Sequence, residues 1–250
     1  MDHQPVNIIC MKWGTLYGPE YVNRLYSGVK KNLNRSFRFI CYTDDRTKIS
    51  DEIECFDFPD FPVHPDYVWS AWRKFCVLRD DVPFEGQSLF LDLDVLITNS
   101  LDALFEYGDP DQFVIIHNWI EWQKTLLRPR PNIGNSSVFR FPAKKFHFAY
   151  TQFLEEEEYA IGYFPTEQAF LTHCMKDYKI WWPEKWVRSF KRHCRWIFPL
   201  NRWLEPRFPS GARIIAFHGR PHPTDAIKGF RGKKPHHYVR PCTWIEKYWA

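Results

Sequence analysis

At 250 residues the chain is long enough to bury a sizeable core, and 34 Lys+Arg against 30 Asp+Glu leave a net charge of only +4. That balance carries no overall signature of polyanion binding and argues against nucleic acid as a partner. Seven Cys without a C-x-x-C pair, no basic-plus-apolar leader and no apolar run of roughly 18–20 residues point to a cytoplasmic protein with free thiols, soluble or peripheral on the inner face of a membrane.

Residues 6–11, VNIICM, read as a buried first strand. After the loop KWGTLYGPEY, the spacing of Val22, Leu25, Tyr26, Val29 and Leu33 predicts a helix from about Tyr21 to Leu33. FRFICYT, residues 37–43, is a second strand stopped by Asp44-Asp45. Strand, glycine-bearing loop, helix and strand form a βαβ unit, the usual opening of a nucleotide-binding α/β sheet. The fingerprint G-x-G-x-x-G is absent, so a dinucleotide cofactor is not indicated. Next, Tyr67 to Leu78 predicts a helix with a core face of Val68, Trp72 and Phe75, its Arg73 and Lys74 on the solvated side.

SLFLDLDVLI, residues 88–97, reads as one strand buried on both faces. Side chains alternate across a strand, so Asp92 and Asp94 converge on one side. Two carboxylates this close need a cation in a poorly hydrated place, and a hard divalent metal, Mn²⁺ or Mg²⁺, suits oxygen ligands. Beyond it, 98–107 predicts a short helix capped by Asn99 or Ser100, and FVIIH, residues 113–117, another strand. Residues 118–131 are irregular and carry Trp119, Trp122, Arg128 and Arg130. NIGNSSVFRF, 132–141, reads as a small-residue loop running into a strand. Residues 143–161 predict a helix, and 164–173 a further one with Thr166 at its N-cap and Glu167 and Gln168 in its first turn. Residues 179–208 hold eight Lys/Arg, two Glu and five Trp, a composition that reads as an element for an anionic membrane surface or a lipid-linked acceptor. A last strand, within 212–223, runs into His218-Gly219 and is followed by a basic, aromatic tail, 224–250.

The ordered set resembles the GT-A glycosyltransferases, in particular the retaining family that holds glycogenin and bacterial lipopolysaccharide galactosyltransferases. The resemblance runs over residues 6–223 through short motifs. Asp92-Leu93-Asp94 looks like the family's D-x-D, Asn135-Ser136-Ser137-Val138 like its F-N-x-G-V loop, Glu167-Gln168 like its D-Q pair, and Phe217-His218-Gly219-Arg220 like its late F-H-x-G. It implies one α/β domain over 1–250 with a Rossmann-like, mixed, mostly parallel sheet flanked by helices. It also implies that Asp92, Asp94 and His218 hold the metal and that Asp92 touches the donor. Donor contacts would further come from Lys12, Tyr17, Thr43, Asp44, Arg73, Lys74, Asn135, Ser136, Gly219 and Arg220, with Glu167 and Gln168 near the anomeric carbon. Three positions depart from the family: Glu for Asp in the D-Q pair, Ser for Ala or Gly in the asparagine loop, and no Lys-Pro-Trp after the histidine, whose diphosphate role would fall to Arg220, His222 or Lys228.

The expected activity is a metal-dependent transfer of a sugar from a nucleotide-diphosphate donor, UDP favoured by the resemblance, to a glycan or glycolipid of the cell surface, with retention; on that reading Trp119 and Trp122 would stack an acceptor sugar. The competing readings are a nucleotidyltransferase and a lipid-binding module on a degenerate transferase fold.

Overall fold

A computed structural model describes residues 4–120 and 130–249. Its main sheet has seven strands in the order β3-β2-β1-β4-β7-β6-β8. These are β1 (Val6–Lys12), β2 (Phe37–Thr43), β3 (Glu54–Phe56), β4 (Gln87–Leu91), β6 (Phe113–His117), β7 (Gly134–Pro142) and β8 (Lys179–Trp181). The half β3-β2-β1-β4 is parallel, β7 runs antiparallel to both β4 and β6, and β8 pairs parallel with β6. A second sheet, β5-β10-β9, is built from β5 (Val95–Ile97), β9 (Val187–Ser189) and β10 (Ile214–Ala216).

The alternation of side chains along β1 sorts the core into two layers. Ile8 and Cys10 join the layer under α1 (Pro19–Asn32) and the second sheet, while Ile9 and Met11 join the opposite one. Helix α1 starts with Pro19 and Glu20 and ends with Lys30 and Lys31, each suited to its end of the helix dipole. Gly28 lets α1 settle on β5, because a Cβ there would already touch Ile97 at 3.4 Å. The opposite layer is aromatic: Phe90, Phe139 and Phe113 stack across β4, β7 and β6 with centroids 4.8 and 5.4 Å apart.

The predicted single strand at 88–97 is two strands in two sheets. The N–H of Asp92 makes a last bond to Ser137 O, and the chain then turns through Leu93 and Asp94 into β5, which pairs with β10. Both flanks are buried, so the apolar run reads as continuous although the backbone changes sheets.

The predicted helix at 67–78 is also broken. A short α2 (Pro65–Val68) precedes a 3₁₀ helix, Ala71–Leu78, whose start is capped by the Ser70 hydroxyl accepting the Trp72 N–H. The tighter winding turns Arg73 and Lys74 inward, and both are buried, against the solvated face expected for them. The NIGNSS stretch is mostly strand: β7 begins at Gly134, where a Cβ would lie 2.7 Å from Ile115 Cδ1 and 2.8 Å from Thr172 Oγ1. Small residues are there for close packing.

The helix α3 (Asp102–Glu106) follows β5, with the Ser100 hydroxyl accepting the Asp102 N–H. The stretch expected as one helix over 143–161 is two, α4 (His147–Glu155) and α5 (Glu157–Tyr163). Next comes α6 (Glu167–Cys174), with Thr166 at its N-cap but without a side-chain cap bond. The last helix is α7 (Pro223–Lys228). Beyond it, Val239, Cys242, Ile245 and Trp249 are buried in the α1 layer, and Trp249 meets Tyr21 of α1 edge-on at 5.1 Å. No helix among the described residues is long and apolar enough to cross a membrane.

Candidate active site

Two cavities open where β1 and β4 end, and they share Lys74, Asp92 and Asp94. The smaller, about 230 Å³, is mostly apolar, with Trp13, Leu16 and Tyr17 on one side and Phe90 at its floor. The larger, about 460 Å³, is polar and runs past Asn135, Ser136, Glu167 and Gln168 to Trp119, His218 and Gly219.

Lys74 is the centre of the shared wall. Its Nζ sits 2.7 Å from Asp92 Oδ1 and donates to Ser136 Oγ at 3.1 Å and Ser136 O at 3.3 Å. Burial works against its charge, but Asp92, Glu167 and Asp94 outweigh that and raise its pKa. Ser136 carries the network onward: its hydroxyl donates to Glu167 Oε1 at 2.7 Å, and its N–H donates to Gln168 Oε1 at 3.3 Å. A register shift between β6 and β7 carries Ser136 and Ser137 toward the end of β4.

Asp94 is buried, and burial together with the charge of Asp92 pushes its carboxyl well above the ordinary carboxylate range. Tyr17 supports it, its hydroxyl donating to Oδ2 at 2.9 Å and also meeting His222 Nδ1 at 3.3 Å. His218 is held from three sides. Trp119 stacks on it at 5.5 Å, Ser189 Oγ lies 2.6 Å from Nε2, and Lys191 Nζ donates to its carbonyl. Burial, then the nearby cations Lys191, Arg192 and Arg195, lower its pKa to about 4, so the ring is neutral at pH 7.

Tested against a divalent metal, the site offers a good donor chemistry at two residues. Asp92 and Asp94 are hard oxygen donors in one cavity wall, and the desolvated Asp94 is a carboxylate that a cation would relieve. The neutral His218 lines the same cavity, but its Nε2 is turned to Ser189. Among the described residues no three His, Cys, Asp or Glu side chains converge closely enough to hold a metal.

The remaining predicted residues divide. Lys12, Thr43 and Asp44 stand behind the smaller cavity and do not line it. Asp44 accepts the Gly14 N–H at 2.9 Å and lies 3.7 Å from Lys12 Nζ, so this group anchors the loop that carries Trp13, Leu16 and Tyr17. Gly14 has φ +59°, a conformation that favours glycine at this tight turn. Thr43 bonds within its own turn, to Asp45. Arg73 is not brought to the site. Its guanidinium lies between Phe58 and Trp69, 4.5 and 4.3 Å from the rings, and donates to Val68 O and Pro59 O. Arg220 lies outside both cavities, paired at 3.1 Å with Asp225. Trp122 lies outside the described residues. Lys191 and Ser189, which hold His218, were not singled out by the sequence, where Lys191 is one cation among eight in a basic stretch.

No family model matches the sequence, and no curated protein does. Solved structures match by shape. The galactosyltransferase LgtC, in complex with donor and acceptor sugar analogs, shares 14% identity at a TM-score of 0.59 over 87% of this chain and 88% of its own. The glycosyltransferase GlyE of Streptococcus pneumoniae TIGR4 shares 12% at 0.60, covering 99% of this chain but 60% of its own. The bifunctional glycosyltransferase WbbM shares 10% at 0.55, over 88% of this chain and 46% of its own. This chain has the GT-A fold. In a GT-A frame the two cavities lie at the strand ends of the parallel half-sheet, where open α/β sheets bind their ligands.

Proposed function

We propose that the chain is a metal-dependent glycosyltransferase that moves a sugar from a nucleotide diphosphate, UDP the favoured donor, to a glycan or lipid-linked acceptor. Retention of anomeric configuration and a place in cell-surface polysaccharide or lipopolysaccharide synthesis, on the cytoplasmic side, belong to the same reading. The observation that carries it is the meeting of an apolar and a polar cavity at one Lys-Asp-Asp wall.

The apolar cavity, with Trp13 and Tyr17, has the lining for a nucleobase, and the polar cavity has hydroxyl and amide groups for a sugar. A divalent cation held by Asp92 and Asp94, with Mn²⁺ or Mg²⁺ as the candidates, would neutralise charge on the departing diphosphate. Lys74 pairs with Asp92 and fixes it beside Ser136. Glu167 and Gln168 present oxygens to the polar cavity, where an oxocarbenium-like centre would need them. Trp119, stacked on His218, offers an apolar face to an acceptor sugar.

The test is hydrolysis of a panel of UDP-, GDP- and CMP-sugars, with acceptor glycans added in parallel, in Mn²⁺ and in EDTA, for wild type and Asp94→Ala. Metal-dependent release of one nucleotide, lost in the variant, is the expected result. Absence of turnover together with absence of nucleotide binding in Mn²⁺ would overturn the reading.

A further inference from the structure

Among the described residues twelve large apolar side chains are exposed, and six of them fall within residues 197–208: Ile197, Phe198, Leu200, Trp203, Leu204 and Phe208. Trp203 is 64% exposed and Ile197 63%. Apolar surface concentrated this way on one segment marks an interaction site. The first half of the basic Trp-rich stretch behaves otherwise. Trp182 is buried with its indole donating to Val138 O, and Trp186 packs on the core.

A cationic cavity adjoins the apolar segment. Arg202, Arg231, Lys233 and Lys234 line about 420 Å³ of open space together with Tyr238. The two features are fixed to each other by the buried Asn201, whose Nδ2 donates to Pro235 O at 3.1 Å and Tyr238 O at 2.9 Å. The carboxylate of the apolar segment is engaged elsewhere: Glu205 Oε1 accepts from the Thr243 N–H and hydroxyl. Residues 185–240 hold fourteen Lys/Arg and two acidic residues, which leaves 20 against 28 for the rest of the chain. This stretch is strongly positive and the rest of the chain negative.

We propose that this surface docks the protein on an anionic lipid bilayer, with Ile197, Phe198 and Trp203 entering the interface and the Arg202–Lys234 cavity receiving a phosphate-bearing headgroup. Interfacial aromatic and aliphatic side chains flanked by Lys and Arg are what such a surface attracts, and the two contributions respond differently to salt. Docking does not depend on sugar transfer. It would bring the acceptor to the enzyme along the membrane plane.

The test is flotation of the full chain with phosphatidylcholine vesicles and with vesicles enriched in phosphatidylglycerol. Wild type binds the anionic vesicles, and added salt weakens binding without abolishing it. Lys233→Glu with Lys234→Glu weakens binding roughly tenfold or more, since each cation at such a surface contributes about a fivefold factor. Ile197→Ser with Trp203→Ser weakens it comparably and leaves a residual binding that salt removes. Unchanged far-UV circular dichroism and thermal midpoint show that the variants fold. Equal binding to neutral vesicles, binding unaffected in both variants, or a wild-type dimer in light scattering that Trp203→Ser dissociates would each overturn the proposal.

Discussion

Replacing Lys74 with Met tests the reading of the shared cavity wall most directly. The methionine keeps the volume and removes the charge. At the observed 2.7 Å, and with an effective dielectric constant near 20, the Lys74–Asp92 attraction is about 6 kcal/mol. Desolvation of Lys74 offsets part of that, so the net cost of losing one partner of a buried pair is about 3–5 kcal/mol. Asp94 adds to it, because its charge is also compensated by Lys74. The second arm is Asp92→Asn, expected to cost about 1–3 kcal/mol. The double variant removes both members, leaves no orphaned charge at this position and relieves Asp94 of its repelling neighbour. It should therefore cost about 2–3 kcal/mol less than the two single changes added together. Urea denaturation followed by circular dichroism in EDTA at pH 8 measures all four corners of the cycle. Additivity of the two single effects to within about 0.5 kcal/mol would refute the argument, since it would mean that Lys74 does not serve the carboxylates.

Three other outcomes follow from the geometry. Arg140 is fully buried and donates to the carbonyls of Leu104, Phe105, Tyr107 and Asp109, so Arg140→Leu should destabilise the fold by about 3–5 kcal/mol in the same denaturation assay. A loss under 1 kcal/mol would mean that water satisfies those carbonyls. His193 is lowered to about 4 by burial and by Arg188, below the ordinary 6.5. The folded state therefore binds the proton less well than the unfolded one, and stability falls as pH drops from about 6.5 to 4. His193→Gln should remove about 1–2 kcal/mol of that decline, solvent screening allowed for, as read from melts across this range. Finally, Mn²⁺ should raise the thermal midpoint of wild type, by the equivalent of about 2.7 kcal/mol at a hundredfold excess over its dissociation constant, and leave Asp94→Asn unmoved. A shift of the same size in the variant would separate the metal from Asp94.

The strands of the parallel half were legible because their information is local. VNIICM and FRFICYT are apolar runs bounded by turn residues, and they are β1 and β2 within a residue. The Asp92-x-Asp94 pair was legible as chemistry, but its geometry was not. Hydrophobicity on both sides of the pair says that the flanks are buried and says nothing about which sheet each flank joins. Lys74 shows a second limit. Its burial depends on a 3₁₀ winding set by Ser70 and on a carboxylate eighteen residues away, neither of which appears in an i, i+3, i+4 pattern. The NIGNSS stretch shows a third. Gly, Asn and Ser are turn formers when exposed, and here they are small residues fitted beside Ile115 and Thr172 inside a sheet. In the Trp-rich stretch, composition was informative about its character, yet only the fold divides Trp182 and Trp186, which pack, from Trp203, which is exposed.

The packing of residues 222–249 against α1 has a consequence for how the protein is made. Tyr17 meets His222 at a separation of 205 residues, and Tyr21 meets Thr224 at 203. The loop and helix that present Tyr17 to Asp94 leave the ribosome about two hundred residues before the surface that completes their burial. At about 5–20 residues per second the interval is roughly 10–40 s. During that time Tyr17, Tyr21 and the neighbouring face of α1 stand without their late partners. Long-range closure of this kind slows folding and exposes the nascent chain to mispairing. Any process that shields Tyr17, Tyr21 and α1 during synthesis therefore acts on the formation of the carboxylate wall itself.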